Sequence, residues 1–130
     1  VAAPDHEVVL DLEFSRPVSC DPARVGQAIS NLLSNAIAHG APDEPIRITG
    51  RCRDQMAVIE VENQGKPIPA EVQETLFQPF RRGSDSASAG LGLGLHIAST
   101  IARAHSGRLS VTSEGTTTSF RLELPMLDAA

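Results

Sequence analysis

The run Gly90-Leu91-Gly92-Leu93-Gly94-Leu95 constrains this chain more than any other stretch. Three glycines within five residues would weaken a strand, and helical periodicity follows at once through Leu95, Ala98, Ile101 and Ala102. The run therefore reads as the opening of a helix over about 94–106 that ends at Gly107. Glycine lets backbone approach a bound anion closely, and free amides at a helix N-terminus add donors and partial positive charge. The spacing points to a phosphate cradle; the alternative is a purely structural turn.

Charge limits how such an anion could be held. With 11 basic and 16 acidic residues the net charge is −5, which leaves no basic footprint for nucleic acid. Local amides or a metal must do the work instead. Aromatics are only 3% of the chain, with no Trp or Tyr, so the core must be aliphatic with four Phe, and stacking of bases on aromatic platforms is disfavoured. Cys20 and Cys52 are too few and too isolated for a disulfide framework or a zinc site and read as small buried or half-buried residues in a reducing compartment. No stretch approaches the roughly 18 apolar residues of a membrane span, and no signal peptide is visible, so we expect a cytoplasmic domain without direct membrane contact. The 130 residues suit one domain, and the abrupt start at Val1-Ala2-Ala3-Pro4 suggests one excised from a longer parent.

Residues 7–14 read as a strand, and Asp21-Pro22 as the N-cap and first position of a helix carrying Val25, Ile29, Leu32, Leu33, Ala36 and Ile37 on one face. That helix stops near His39-Gly40. Two alternating strands follow, with Ile46, Ile48, Gly50 and Cys52 inward in the first and Ala57, Ile59 and Val61 inward in the second; Arg47, Thr49, Arg51, Arg53, Val58, Glu60 and Glu62 point outward. Asp54-Gln55 makes a hairpin between them, so the pairing should be antiparallel and the outward Arg and Glu rows opposed. A short helix over 70–76, a small polar loop over 81–90, and strands over 108–113 and 118–124 complete an α+β sandwich with helices on one sheet face.

Three asparagines add chemistry. Asn31 and Asn35 stand one above the other on the first helix at the shoulder of its apolar stripe. They are either satisfied boundary polars or oxygen ligands for a magnesium ion, which takes few protein ligands beside phosphates. Asn63 shares the inward face of its strand, where an amide must find partners or cost about 1–3 kcal/mol. Its oxygen could read an exocyclic amine such as that of adenine, with Gly65 letting a flat ring pack close; a strand-end turn cap is the rival reading.

In order along the chain these residues resemble the boxes of sensor histidine kinases. Gln27 to Ala36 resembles the asparagine box, and Val61 to Pro69 the first glycine box. Phe77 to Gly83 resembles the phenylalanine box, Gly90 to Leu95 the second glycine box, and Gly115 to Pro125 the closing segment. The Phe-Arg-Arg-Gly ending and the asparagine in the first glycine box particularly resemble phytochrome-like bacterial kinases. The resemblance implies a Bergerat-type ATP-binding fold of the kinase, gyrase, Hsp90 and MutL superfamily: a two-layer α/β sandwich whose mixed, mostly antiparallel sheet is covered on one face by about three helices. It implies ATP and magnesium as cofactors. Asn35 would ligate the metal, Asn31 and His39 would contact phosphates, and Asn63 would face the adenine amine with Thr118 behind it. Gly65, Lys66, Ile68 and Phe80 would line the nucleotide. Amides of Gly90, Leu91, Gly92, Leu93, Gly94 and Leu95 would hold the phosphates, residues 81–90 would form a lid, and Arg82 would approach the γ-phosphate.

The chain departs from the family pattern in four places. Asn63 replaces an aspartate, Pro67 the second glycine of its box, Thr117 a later glycine, and Ala38 a frequent lysine. Hydrolytic superfamily members carry a general-base glutamate where Asn31 stands, so rapid ATP hydrolysis is not expected. The acceptor histidine is expected on a separate helical domain of the same parent, through which the parent would form a homodimer, with a response regulator downstream. His6 is rejected as acceptor because Val8-Val9-Leu10 continues it as a strand; His96 and His105 read as surface or boundary residues. Rival readings are an ATP-binding regulatory module, an anti-sigma-type serine kinase, and a gyrase- or Hsp90-like ATPase.

Overall fold

Period-2 burial builds the sheet. In β2 (Ile46–Arg53) Ile46, Ile48 and Gly50 are buried while Arg47, Arg51 and Arg53 are exposed, as one covered face requires. The computed structural model describes residues 7–14, 20–78 and 86–126, and for 86–92 the backbone alone. Asp54 and Gln55 take φ of 53° and 68°, the left-handed pair that two-residue hairpins favour, and turn β2 into β3 (Met56–Gln64). A second hairpin joins β4 (Arg108–Glu114) to β5 (Thr117–Pro125). With β1 (Val8–Glu13) the strand order is β1-β2-β3-β5-β4; β1 runs parallel to β2 and every other pair is antiparallel.

The helices lie on one face, as expected. Asp21 caps α1 (Pro22–His39) by accepting from the Arg24 amide at 3.2 Å, and Pro22 sits where its missing N–H costs nothing. Val25, Ala28, Leu32 and Ala36 bury the inner face of α1. α2 (Ala70–Gln73) is one turn, shorter than the predicted 70–76. α1 and α3 (Ser86–Ala104) pack on each other and over the sheet, closing a core of Leu32, Ile46, Val61, Phe120, Leu122 and Leu124. Among the described residues no helix is long and apolar enough to cross a membrane.

Two expectations are corrected. α3 begins at Ser86 rather than near residue 94, so the glycine run lies within the helix, not ahead of it. Each helical glycine costs about 1 kcal/mol relative to alanine. The buried half of α3, with Leu95, Ala98, Ile101 and Ala102, anchors the helix, and propagation backward adds one hydrogen bond per residue. Of the predicted loop, 86–90 is therefore helical, and 81–85 lies outside the described residues. Second, Val58 faces outward yet is only 7% exposed, because it shares a small hollow with Arg51, Arg53, Glu60 and Arg121, whose stems shield it. Arg47 does stand opposite Glu62, but an ion pair on this face joins Arg121 to Glu60 at 2.9 Å across β3 and β5. Both partners are partly exposed, so the pair contributes at most about 1 kcal/mol.

Candidate nucleotide site

A cavity of about 1170 Å³ opens between the end of α1, the end of β3 and the loop that follows it. Its buried wall holds Asn35, Asn63, Leu95, Thr118 and Phe120; its rim holds His39, Gly40, Glu44, Lys66 and Ile68. The two walls meet because the ends of α1 and β3 are stitched together. The Ala41 amide donates to the Gln64 carbonyl at 2.6 Å, and the Gly65 amide donates to the Thr116 carbonyl at 2.7 Å. A Cβ at Gly65 would stand 2.7 Å from the His39 carbonyl oxygen. Only glycine allows this approach, so Gly65 is held against the α1 backbone while also lining the cavity.

The three asparagines differ in ways their spacing does not show. Asn35 is 6% exposed in mid-helix, and among the described residues its amide takes no hydrogen bond. No buried side-chain atom there is left unsatisfied, so this amide is open to the cavity it lines. Asn31 does not line the cavity. Its Nδ2 donates to the Gly94 carbonyl at 3.1 Å and ties α1 to the glycine run. Asn63 is 4% exposed; its Nδ2 donates to the Gln64 carbonyl at a long 3.4 Å, while its oxygen takes no hydrogen bond among the described residues. Thr118 pairs with Asn63 across β3 and β5, and its hydroxyl lies 3.4 Å from that of Ser113. The Ser113 hydroxyl also accepts from the Ile68 amide at 2.9 Å, which pins the loop after β3.

The glycine run meets the cavity only through Leu95 among the side chains described. In a helix starting at Ser86 the unpaired amides belong to its first turn, and those of 90–95 are used within the helix. The expected cradle of free amides is therefore closed in this conformation. Phe80 and Arg82 lie outside the described residues, as does His6.

Several residues that sequence reasoning passed over also shape the site. His96 Nδ1 lies 3.1 Å from the Phe77 carbonyl oxygen, and the Phe77 ring meets Phe120 edge-on at 6.2 Å, so α3 and the cavity wall are joined through one aromatic. Gln64 receives the Thr116 hydroxyl at 2.9 Å and donates to the Thr117 hydroxyl at 3.0 Å, fixing the turn between β4 and β5. His105 Nδ1 donates to the Ile101 carbonyl at 2.9 Å, and Nε2 accepts from the Asp21 amide at 3.1 Å, so it bridges both long helices. Strand parity could have found Ser113, since it pairs with Thr118. Nothing local marks the histidines.

Among the described residues no three His, Cys, Asp or Glu side chains converge on a metal-sized site. The open amide of Asn35 is one oxygen donor at the cavity wall suited to a hard cation. A magnesium ion fits such a site if it draws its other oxygens from phosphate and water, which is its usual habit.

A helical layer on a sheet of this order, with a polar-ended cavity between the first helix and the third strand, defines a two-layer nucleotide-binding domain. The profile of the histidine kinase-, DNA gyrase B- and HSP90-like ATPases matches residues 20–128. The chain belongs to that ATP-binding family. It is 37% identical to a probable sensor histidine kinase TcrY of Mycobacterium tuberculosis, over 97% of this chain and 27% of that protein. To the bacteriophytochrome of Pseudomonas aeruginosa it is 35% identical, over 95% of this chain and 17% of that protein. The histidine kinase AdeS of Acinetobacter baumannii superposes with a TM-score of 0.78 at 27% identity, covering 95% of this chain and 56% of that one. The nucleotide-free catalytic domain of histidine kinase ThkA gives 0.77 at 28% identity, covering 92% and 79%. The expected resemblance and fold class are both borne out. The chain spans about a quarter or less of the length of these curated relatives.

Proposed function

We propose that this domain binds Mg-ATP and presents the γ-phosphate to a histidine on a separate phosphoacceptor domain of a two-component sensor kinase. The observation that carries it is the amide of Asn35: a polar group in mid-helix, 6% exposed, without a protein partner and open to a cavity whose far polar end is Asn63. Because that amide is open to the cavity, its oxygen can take a ligand without giving up a hydrogen bond to any described residue.

In this reading Asn35 gives its oxygen to the magnesium ion, and bound magnesium would neutralise charge between the phosphates. Asn63 and Thr118 would take the base. His39 would face the phosphates from the last turn of α1. Amides of 90–95 and Arg82 would take the terminal phosphates, which requires the first turns of α3 to open. Asn31, bonded to the Gly94 carbonyl, would hand its amide to phosphate as they do. Phosphoryl transfer needs mainly positioning and charge stabilisation, so nucleophile and base can come from the partner domain. That domain would dimerise the parent, a response regulator would receive the phosphoryl group, and the work would be cytoplasmic, where ATP is. Closure of the amides within α3 favours one other reading, a regulatory module that binds ATP without transferring it.

Titration of Mg-ATP into wild type and Asn35→Ala tests the core of this. The variant should keep its fold and lose at least tenfold in affinity with magnesium, but little with EDTA. Equal affinity in magnesium would sink the reading. Transfer to a supplied acceptor domain then separates kinase from regulatory module, and phosphohistidine's acid lability separates it from a serine kinase.

A further inference from the structure

We infer that the base end of this cavity admits 6-oxopurine nucleotides alongside adenine nucleotides, because the group that reads position 6 is an amide able to reverse. The inference rests on the nucleotide-binding reading above and concerns only which purine is accepted.

Adenine carries an amine donor at position 6, whereas hypoxanthine and guanine carry a carbonyl acceptor. An ionised carboxylate can only accept and would repel that carbonyl. An asparagine presents an acceptor at one end and two donors at the other. Asn63 sits at the buried end of the cavity with its Nδ2 on a single 3.4 Å contact to the Gln64 carbonyl, long for a hydrogen bond, and its oxygen unengaged. A half-turn of the amide exchanges the two ends; it gives up that long contact and sets the amide oxygen toward the Gln64 carbonyl oxygen at a similar, non-bonded distance. Space for the turn exists beside Gly65, where even an added Cβ would stand 3.5 Å from Nδ2.

The surrounding polar groups do not oppose the reversal. Thr118 and Ser113 meet through hydroxyls 3.4 Å apart, and either can be the donor, so this pair can reorient with the amide. The one carboxylate lining the cavity among the described residues is Glu44, on the exposed rim. Among the described side chains at the buried end none carries a charge, and the backbone groups of fixed polarity are the Gln64 carbonyl on Asn63 and the Ile68 amide on Ser113. Adenine keeps a modest advantage, since its amine suits the orientation in which Nδ2 stays on Gln64. That advantage is the worth of one long neutral hydrogen bond plus a weak oxygen–oxygen repulsion across the same separation, a factor of about ten.

The test is displacement of a fluorescent trinitrophenyl-ATP from this domain by Mg-ATP and Mg-ITP, in wild type and Asn63→Asp. Inosine is the probe because it replaces the 6-amine by a carbonyl, with the accompanying N1–H, without adding guanine's 2-amino group. Wild type should bind ITP within about tenfold of ATP, and Asn63→Asp, whatever its own affinity for ATP, should widen the gap to about a hundredfold or more. A wild-type gap beyond a hundredfold, or a gap unchanged by Asn63→Asp, overturns the inference. Where Asn63→Asp does not fold, Asn63→Leu takes its place: it should weaken both nucleotides and leave them within about threefold of each other, and loss of ATP alone overturns the inference. If ATP itself displaces nothing, the nucleotide-binding reading has failed too; if ATP displaces and ITP does not, only the selectivity inference fails.

Discussion

Replacing Gly94 by alanine should raise the stability of the free domain and lower its affinity for nucleotide, by about the same free energy. Gly94 lies inside α3, and a Cβ built there meets Asn31 carbon and nitrogen atoms at 3.7–3.9 Å, ordinary van der Waals contact. Alanine therefore fits without displacing α1, and the Asn31 bond to the residue-94 carbonyl survives. What remains is helix propensity, about 1 kcal/mol in favour of alanine. Unfolding entropy of about 2.1 cal/mol/K per residue over 130 residues turns this into a rise in Tm of roughly 4 °C. Nucleotide binding is proposed to free the amides of 90–95 from the helix, so the bound state forfeits that gain and Kd should rise about fivefold. Circular-dichroism melts with and without saturating Mg-ATP, alongside calorimetric titration, measure both numbers. The Tm advantage should shrink when nucleotide is present. A higher Tm with unchanged affinity would refute the coupling, and a lower Tm would refute the placement of Gly94 within the helix.

Gly107→Ala should be severe, since its Cβ would overlap the Glu123 carbonyl oxygen; we expect more than about 3 kcal/mol lost in urea unfolding or no folded protein. His105→Ala removes the acceptor for the Asp21 amide at the start of α1 and should cost about 1 kcal/mol in the same assay, with nucleotide affinity unchanged. Leu32→Ala empties a fully buried site between α1 and the sheet and should cost about 2–5 kcal/mol by denaturant titration.

Most elements were legible because their signals are local. Asp21-Pro22 acts as cap and first residue through contacts three residues away, and Asp54-Gln55 turns a hairpin through its own dihedrals. The alternation in β2 and β5 needs only a sheet covered on one side. The start of α3 was misjudged because local propensity at three glycines opposes helix, while the packed residues that favour it lie one to three turns later. Val58 was misjudged because its cover comes partly from Arg121, on a strand far along the chain.

By itself, then, the sequence determined the α+β class, the order of strands and helices along the chain, and the family, since caps, alternation and ordered boxes are written within short windows. Tertiary structure decided which asparagine is available. Asn31 and Asn35 look equivalent at four residues' spacing, yet one spends its amide on a carbonyl 63 positions away and the other is left open to a cavity. It also decided that β4 lies outside β5, and that Gly65 packs against the end of α1 as well as lining the cavity. Such outcomes depend on partners brought together only by folding, and no short window of residues contains them.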